Sequence, residues 1–199
     1  MTQKNVTMPI AKTIRSETPI VGFVARSGTG KTTLLCKILP LLKQRGLNIA
    51  LIKHSHHKFD IDRPGKDSYQ LREAGADQVL LASSRRWALM VEHQSVEDPP
   101  SLQYLLDQLD HSQLDLILVE GFKNESFHKI ELHRSALDKN FFFPEDDNIT
   151  AIATDTSLDA GYSITQLDIN SPLAVVDYLS NTVINSATNS VINDKERGK

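Results

Sequence analysis

The amino-acid sequence predicts a three-layer α/β fold built on a mostly parallel sheet, with a β-hairpin inserted into it. Three observations carry this expectation. Short, β-branched apolar runs alternate with stretches of helical periodicity. The run LILVE at 116–120 is apolar up to its last residue, as a parallel strand covered on both faces must be. Two further strand-like runs, QVLLAS (78–83) and RWALMVE (86–92), are joined by Ser84 and Arg85 alone, which is hairpin spacing.

The remaining elements follow in chain order. Residues 1–18 are polar and aperiodic, and are expected to form a loose arm. PIVGFVA (19–25) reads as a buried strand running into a glycine-containing loop. From Thr32 to Arg45, Leu34, Leu35, Ile38, Leu39 and Leu42 recur at helical spacing, and Gly46 stands where a C-terminal cap belongs. Pro40 lies inside that helix, where proline removes a hydrogen bond at a cost of roughly 3 kcal/mol, so a kink is predicted near Cys36. Cys36 itself falls in the apolar pattern and reads as a small core residue. NIALIKH (48–54) is a second strand that opens into the His-rich segment SHHKFDIDRPGKD. Residues 66–75 form a short helix closed by Gly75, and PPSLQYLLDQLD (99–110) a helix entered through proline. KIELHR (129–134) and ITAIAT (149–154) are further strands, and SPLAVVDYLSNTV (171–183) a closing helix. The organisation predicted is one domain over 19–184, preceded by the arm 1–18 and followed by a disordered polar tail, 185–199.

Composition narrows the function. The 199 residues, 40% hydrophobic and 24% charged, suit a globular domain with a sizeable core. A net charge of -3 argues against nonspecific nucleic-acid binding, which requires basic surface. A single cysteine excludes an intrachain disulfide. Residues 1–18 lack the apolar stretch of a signal peptide, and no apolar run approaches the ~20 residues needed to cross a bilayer. A cytoplasmic protein with neither nucleic-acid nor membrane partners is expected.

The chemistry concentrates in ARSGTGKT (25–32), which lies between an apolar strand and an amphipathic helix. This is a phosphate-binding loop in its required context, and it specifies the fold as that of a P-loop NTPase. Gly28 and Gly30 let backbone N–H groups curl around phosphate oxygens, and the helix contributes its positive end. Ser27, Thr29 and Thr33 complete the predicted nucleotide contacts. Lys31 reaches the β- and γ-phosphates, and the Thr32 hydroxyl ligates Mg²⁺. Ala25 stands in place of the first glycine of the motif, at the position furthest from the γ-phosphate.

Ligands of such sheets bind beyond the carboxyl ends of the strands. Glu120 ends LILVE and is therefore expected beside the loop, holding a Mg²⁺-bound water; Asp115 lies at the opposite end. Lys31 and Glu120 are the catalytic candidates. The segment with His54, His56, His57, Asp60 and Asp62 matches no common zinc spacing. It reads as a polar loop that senses the γ-phosphate or contacts another ligand, with Asp60 and Asp62 near Mg²⁺ or its water. Asp155 follows the strand at 149–154, where one carboxylate can accept from both N1–H and the exocyclic amine of guanine. That favours GTP over ATP only slightly, since Ile152 and Ala153 leave the familiar guanine signature incomplete and an Asp at this place is more often a turn residue. The loop alone specifies only phosphate binding, and fits a slow NTPase, a small-molecule kinase or an interaction protein with a vestigial site. The scattered arginines Arg63, Arg72, Arg85, Arg86 and Arg134 count against a kinase lid; Arg26, inside the loop, reads first as an exposed loop arginine and second as a finger on the terminal phosphate, in cis or across a dimer.

Taken together, GTGKTTLL, LIKHSHHKFDIDRPGKDSYQLREAGA, RRWALM and LDLILVEGFKNE resemble the MobB family, the bacterial molybdopterin-guanine dinucleotide biosynthesis adaptor proteins. The likeness covers roughly residues 19–155. It implies a homodimer binding GTP with Mg²⁺, weak GTPase activity, and a helper role beside the guanylyltransferase MobA, which joins GMP to molybdopterin. By the same resemblance Gly28, Gly30, Lys31 and Thr32 hold phosphate and Glu120 is the acid of the second strand motif. His54–Asp67 is then the family loop, with Gly65, Lys66 and Asp67 offered to an anionic pterin phosphate.

Overall fold

The computed structural model describes residues 14–55, 59–93 and 99–185. They form two compact units: residues 55–101, and the remainder of the chain on either side of that segment.

The larger unit is a six-stranded sheet. Its strands are β1 (Ile20–Ala25), β2 (Ile49–Lys53), β5 (Leu116–Glu120), β6 (Lys129–Leu132), β7 (Ile149–Thr154) and β8 (Thr165–Asp168). They lie in the order β2-β5-β1-β6-β7-β8, and every neighbouring pair is parallel. β5 shows why both of its faces are apolar. Side chains alternate along a strand, so Leu116 and Leu118 enter one core cluster and Ile117 and Val119 the other. The first cluster packs α1 (Lys31–Gln44) and α4 (Pro172–Tyr178) through Leu35, Ile38, Leu42, Val175 and Val176. The second takes Leu102 and Leu106 of α3 (Leu102–Leu106), with Phe127. Helices on both faces of a parallel sheet are the three layers predicted. Gly22 is required for one of these contacts, since a Cβ there would sit 2.8 Å from the Phe127 ring.

α1 runs without interruption through Pro40, so the proline is absorbed within the helix. Its end is a Schellman motif: the Gly46 amide donates to Lys43 O at 3.0 Å and the Leu47 amide to Leu42 O at 3.3 Å, with Gly46 at φ +82. Cys36 is not a core residue; it is exposed. The buried stripe of α1 runs through Leu34, Leu35, Ile38 and Leu42, and Cys36 falls on the solvent side beside Lys37 and Pro40. α3 occupies only the middle of the predicted 99–110 helix. β8 was not anticipated. It is a four-residue polar strand, TQLD, pairing along the sheet's edge, where polar side chains face water.

β6 departs from simple alternation. Lys129 and Glu131 are both buried, at 1% exposure each. Lys129 Nζ donates to Asp146 Oδ2 at 2.6 Å and to Lys123 O at 2.8 Å. Glu131 accepts from the amides of Phe142 and Phe143, each at 2.9 Å. Burial pushes the Glu131 carboxyl above its ordinary range, against the pull of those two amides. Both charges are thus tied to the 141–146 segment.

The smaller unit contains α2 (Asp67–Glu73) and the antiparallel pair β3 (Gln78–Ala82) and β4 (Trp87–Val91), the predicted hairpin. Ser83 N donates to Arg86 O at 2.8 Å, closing the two-residue Ser84-Arg85 turn. One face of the ribbon carries the pairs Leu80–Leu89 and Ala82–Trp87. Leu80 and Trp87 are 62% and 69% exposed. No helix of the described residues is long and apolar enough to cross a membrane.

Candidate nucleotide-binding site

The phosphate loop connects β1 to α1 at the carboxyl edge of the sheet. Gly28 and Gly30 have φ of +85 and +92, in the left-handed region that glycine enters without strain. Gly30 is the N-cap of α1 and supplies no side chain, so no side-chain oxygen occupies the first amides of this 14-residue helix. Those N–H groups and the positive helix end remain available to an anion. Thr29 is buried and turns inward, its hydroxyl donating to Arg26 O at 2.7 Å. Ser27, Thr32 and Thr33 are exposed, and among the described residues the Thr32 hydroxyl makes no hydrogen bond.

Glu120 arrives where the sequence placed it. β5 lies between β1 and β2, in register with Phe23 and Lys53. The Glu120 carboxylate accepts from Lys31 Nζ at 2.6 Å and from Lys53 Nζ at 2.9 Å. Burial raises the carboxyl, but the two lysines outweigh it and hold the group below the ordinary carboxylate range. Lys53 was missed by the sequence reading. Its signal was the strand end: two parallel strands ending at the same level put Lys53 opposite Glu120.

The chain turns sharply after Glu120. Gly121 has φ +104 and Phe122 φ +51. The His54 amide donates to Glu120 O at 2.8 Å, and its ring lies 4.8 Å from that of Phe122. His54 therefore belongs to the sheet edge. The other residues grouped with it lie elsewhere in the chain's organisation. His56 and His57 lie outside the described residues. Asp60, Asp62, Lys66 and Asp67 belong to the smaller unit. There Asp60 is paired with Arg72 at 3.0 Å, Asp62 accepts from the Arg63 amide, and Lys66 and Asp67 begin α2. Among the described residues, no three His, Cys, Asp or Glu side chains converge as a metal site.

Asp155 stands at the end of β7 with its carboxylate already engaged. It accepts from the Ser135 amide at 2.9 Å and faces Arg134 Nη1 at 3.5 Å. The Ser135 amide, with Arg134 assisting, holds it below its ordinary range. Arg134, also unforeseen in this role, joins three strand ends. Its Nε donates to Thr29 O at 3.2 Å and its Nη1 to Asn170 Oδ1 at 3.1 Å. Arg26 is stacked 4.0 Å over the Phe142 ring. No local sequence pattern announces these contacts, because the partners are brought together only by the sheet.

A parallel sheet flanked by helices, with a glycine-shaped loop feeding a helix beside a lysine–carboxylate pair, defines a protein of the P-loop NTPase fold class. Residues 20–155 match the model of the family described as molybdopterin guanine dinucleotide synthesis protein B, MobB. The chain belongs to the MobB family. It is 47% identical over 165 residues to the molybdopterin-guanine dinucleotide biosynthesis adapter protein of Escherichia coli (strain K12), covering 81% of this chain and 91% of that one. To the Haemophilus influenzae protein of the same name it is 43% identical over 169 residues, covering 84% and 91%. A crystal structure of Bacillus subtilis MobB superposes with TM-score 0.61 at 26% identity, over 83% of this chain and 98% of that one. A second, of molybdopterin-guanine biosynthesis protein B, gives 0.63 at 23% identity over 82% and 99%, which speaks for the fold alone.

Proposed function

We propose that this chain is a cytoplasmic, GTP-binding adapter of molybdopterin-guanine dinucleotide biosynthesis that assists a separate guanylyltransferase. The observation that carries the reading is the phosphate loop, with Lys31 held by Glu120 at 2.6 Å, on a chain of the MobB family. Geometry supports the accessory role. A P-loop wraps the β- and γ-phosphates and exposes the terminal one, whereas joining GMP to a pterin phosphate requires an open α-phosphate.

Mg²⁺ fits the site through the donors present. The free Thr32 hydroxyl and the Glu120 carboxylate are hard oxygen ligands, the carboxylate acting through water. When bound, the ion neutralises charge developing on the phosphates. Lys31 binds and orients the triphosphate, Glu120 orients a water, and Lys53 keeps the carboxylate ionised. Glu120→Gln is expected to slow GTP hydrolysis at least tenfold while GTP affinity is retained. Hydrolysis at the wild-type rate would remove Glu120 from the mechanism. Against the opposing effect of burial, Lys31 and Lys53 hold the Glu120 carboxyl below the ordinary carboxylate range, so the stability drawn from its lysines is complete above that range. It is lost as the pH falls through the lower, folded value.

The reading includes a homodimer. A two-stranded ribbon is marginal by itself, and the exposed Leu80–Leu89 and Trp87 face is apolar, so a second copy of the same face is its natural cover.

A reconstitution tests the whole proposal. Purified protein, GTP, Mg²⁺ and molybdenum-loaded molybdopterin are combined with and without the transferase. Higher dinucleotide yield only when both proteins are present is expected. Dinucleotide formed by this chain alone, or no gain in yield, overturns the adapter reading.

A further inference from the structure

A cavity of 390 Å³ opens where β6 ends, lined by His133, Asp138, Lys139, Phe141, Glu145 and Tyr162 among others. Its size lies within the range of about 300–1,000 Å³ typical of small-ligand clefts. The segment that walls it also touches the phosphate loop. A Cβ on Gly28 would lie 3.8 Å from Leu137, and Arg26 stacks on Phe142.

The lining has a distinct chemistry. Aromatic rings support one another along one wall: His133 lies 4.3 Å from Phe141, and Phe141 meets Tyr162 edge-on at 6.5 Å. Phe143 also meets Tyr162 edge-on, at 4.9 Å. Tyr162 is 44% exposed, so ring surface is left for a planar partner. The polar lining mixes donors and acceptors, Ser135, Asn140 and Tyr162 offering both. Asp138 and Glu145 contribute carboxylates. His133 is 8% exposed, and its Nε2 lies 2.9 Å from Lys139 O, which only accepts, so Nε2 carries the proton. Nδ1 is buried and has no hydrogen-bond partner among the described residues. Lys139 is the cation of the set.

A flat aromatic wall with carboxylates and one ammonium suits a planar ring bearing adjacent N–H and amine donors and a carbonyl. Asp155 stands outside this lining, with one carboxylate oxygen on the Ser135 amide and the other 3.5 Å from Arg134. We propose that this cavity seats a 2-amino-4-oxopyrimidine-fused ring. Guanine and the pterins share that ring. The source is therefore the base of the nucleotide on the phosphate loop or a separate pterin, and the guanine case rests on the nucleotide reading above.

Tyr162→Ala and Glu145→Gln alter exposed side chains, so the fold is expected to persist, checked by thermal melting. Calorimetry on wild type and both variants uses three ligands: GTP with Mg²⁺, inorganic tripolyphosphate, and 6-carboxypterin on the GTP-loaded protein. If the base occupies the cavity, both variants lose at least tenfold in GTP affinity with tripolyphosphate unchanged, and 6-carboxypterin fails to bind beside GTP. If a pterin occupies it, 6-carboxypterin binds the GTP-loaded protein and weakens at least tenfold in both variants, while GTP is unaffected. Unchanged affinities for GTP and 6-carboxypterin in both variants overturn the proposal. Wild-type protein that binds neither GTP nor tripolyphosphate sinks the nucleotide reading instead, and the cavity is then judged by 6-carboxypterin on the free protein.

Discussion

Lys31→Ala is expected to weaken binding of Mg²⁺–GTP by one to two orders of magnitude while leaving thermal stability near that of the wild type. The side chain contributes a charge-assisted contact to phosphate, and such contacts are worth about 1.5–3 kcal/mol. Its role in the free protein is narrower. Lys31 is bound to Glu120 at 2.6 Å, but Lys53 holds the other carboxylate oxygen at 2.9 Å. Removing Lys31 therefore leaves no orphaned charge, and the fold loses little. Calorimetric titration with GTP and with tripolyphosphate, beside a melting curve, separates the two effects. Equal loss for both ligands is expected, because the contact is to phosphate and not to base. Unchanged affinity in a stable variant would refute the phosphate-loop assignment.

Gly121→Ala is expected to produce the largest loss of stability of any single methyl group added at this edge, roughly 2–5 kcal/mol. Two causes combine. The residue has φ +104, which an alanine adopts only under strain, and its new Cβ would lie 2.6 Å from His54 Cβ. That neighbour is anchored by its own backbone and cannot swing aside as a long side chain would. The His54 amide also bonds Glu120 O at 2.8 Å, so relief of the clash must part β2 from β5 at the level of the site. Urea denaturation measures the loss, and a cost below about 1 kcal/mol would show that the turn relaxes freely.

Much of this was legible in the chain because it is local. The phosphate loop is contiguous and is flanked by the strand and helix it needs. Glu120 closes a run whose unbroken apolarity marks a doubly covered strand, so its position at the carboxyl edge followed. What the chain did not reveal depends on neighbours distant in sequence. Lys53 and Arg134 acquire their partners only when strand ends align. KIEL reads as a strand with one polar face, yet Lys129 and Glu131 are buried because the segment after them folds over that face. Cys36 was misplaced because an apolar residue one step off the buried stripe looks, in the sequence, like part of it. TQLD was overlooked because an edge strand needs no apolar signature. The predicted His54–Asp67 group crosses the boundary between the two units, which no local pattern in the sequence marks: His54 lies with the sheet, and Asp60, Asp62, Lys66 and Asp67 lie in the smaller unit.

The buried charges of β6 have a consequence for motion. The amides of Phe142 and Phe143 lie in an irregular connection between strands, where exchange with solvent deuterium is usually fast. Here both are donors to a carboxylate 1% exposed, and Asp146, three residues on, is gripped by an equally buried lysine. Lifting this segment away would leave a buried carboxylate and a buried ammonium without partners in one step. Local opening is thereby coupled to rupture of the sheet itself. These two loop amides should exchange on the slow timescale of the central strands, as part of the same cooperative unit.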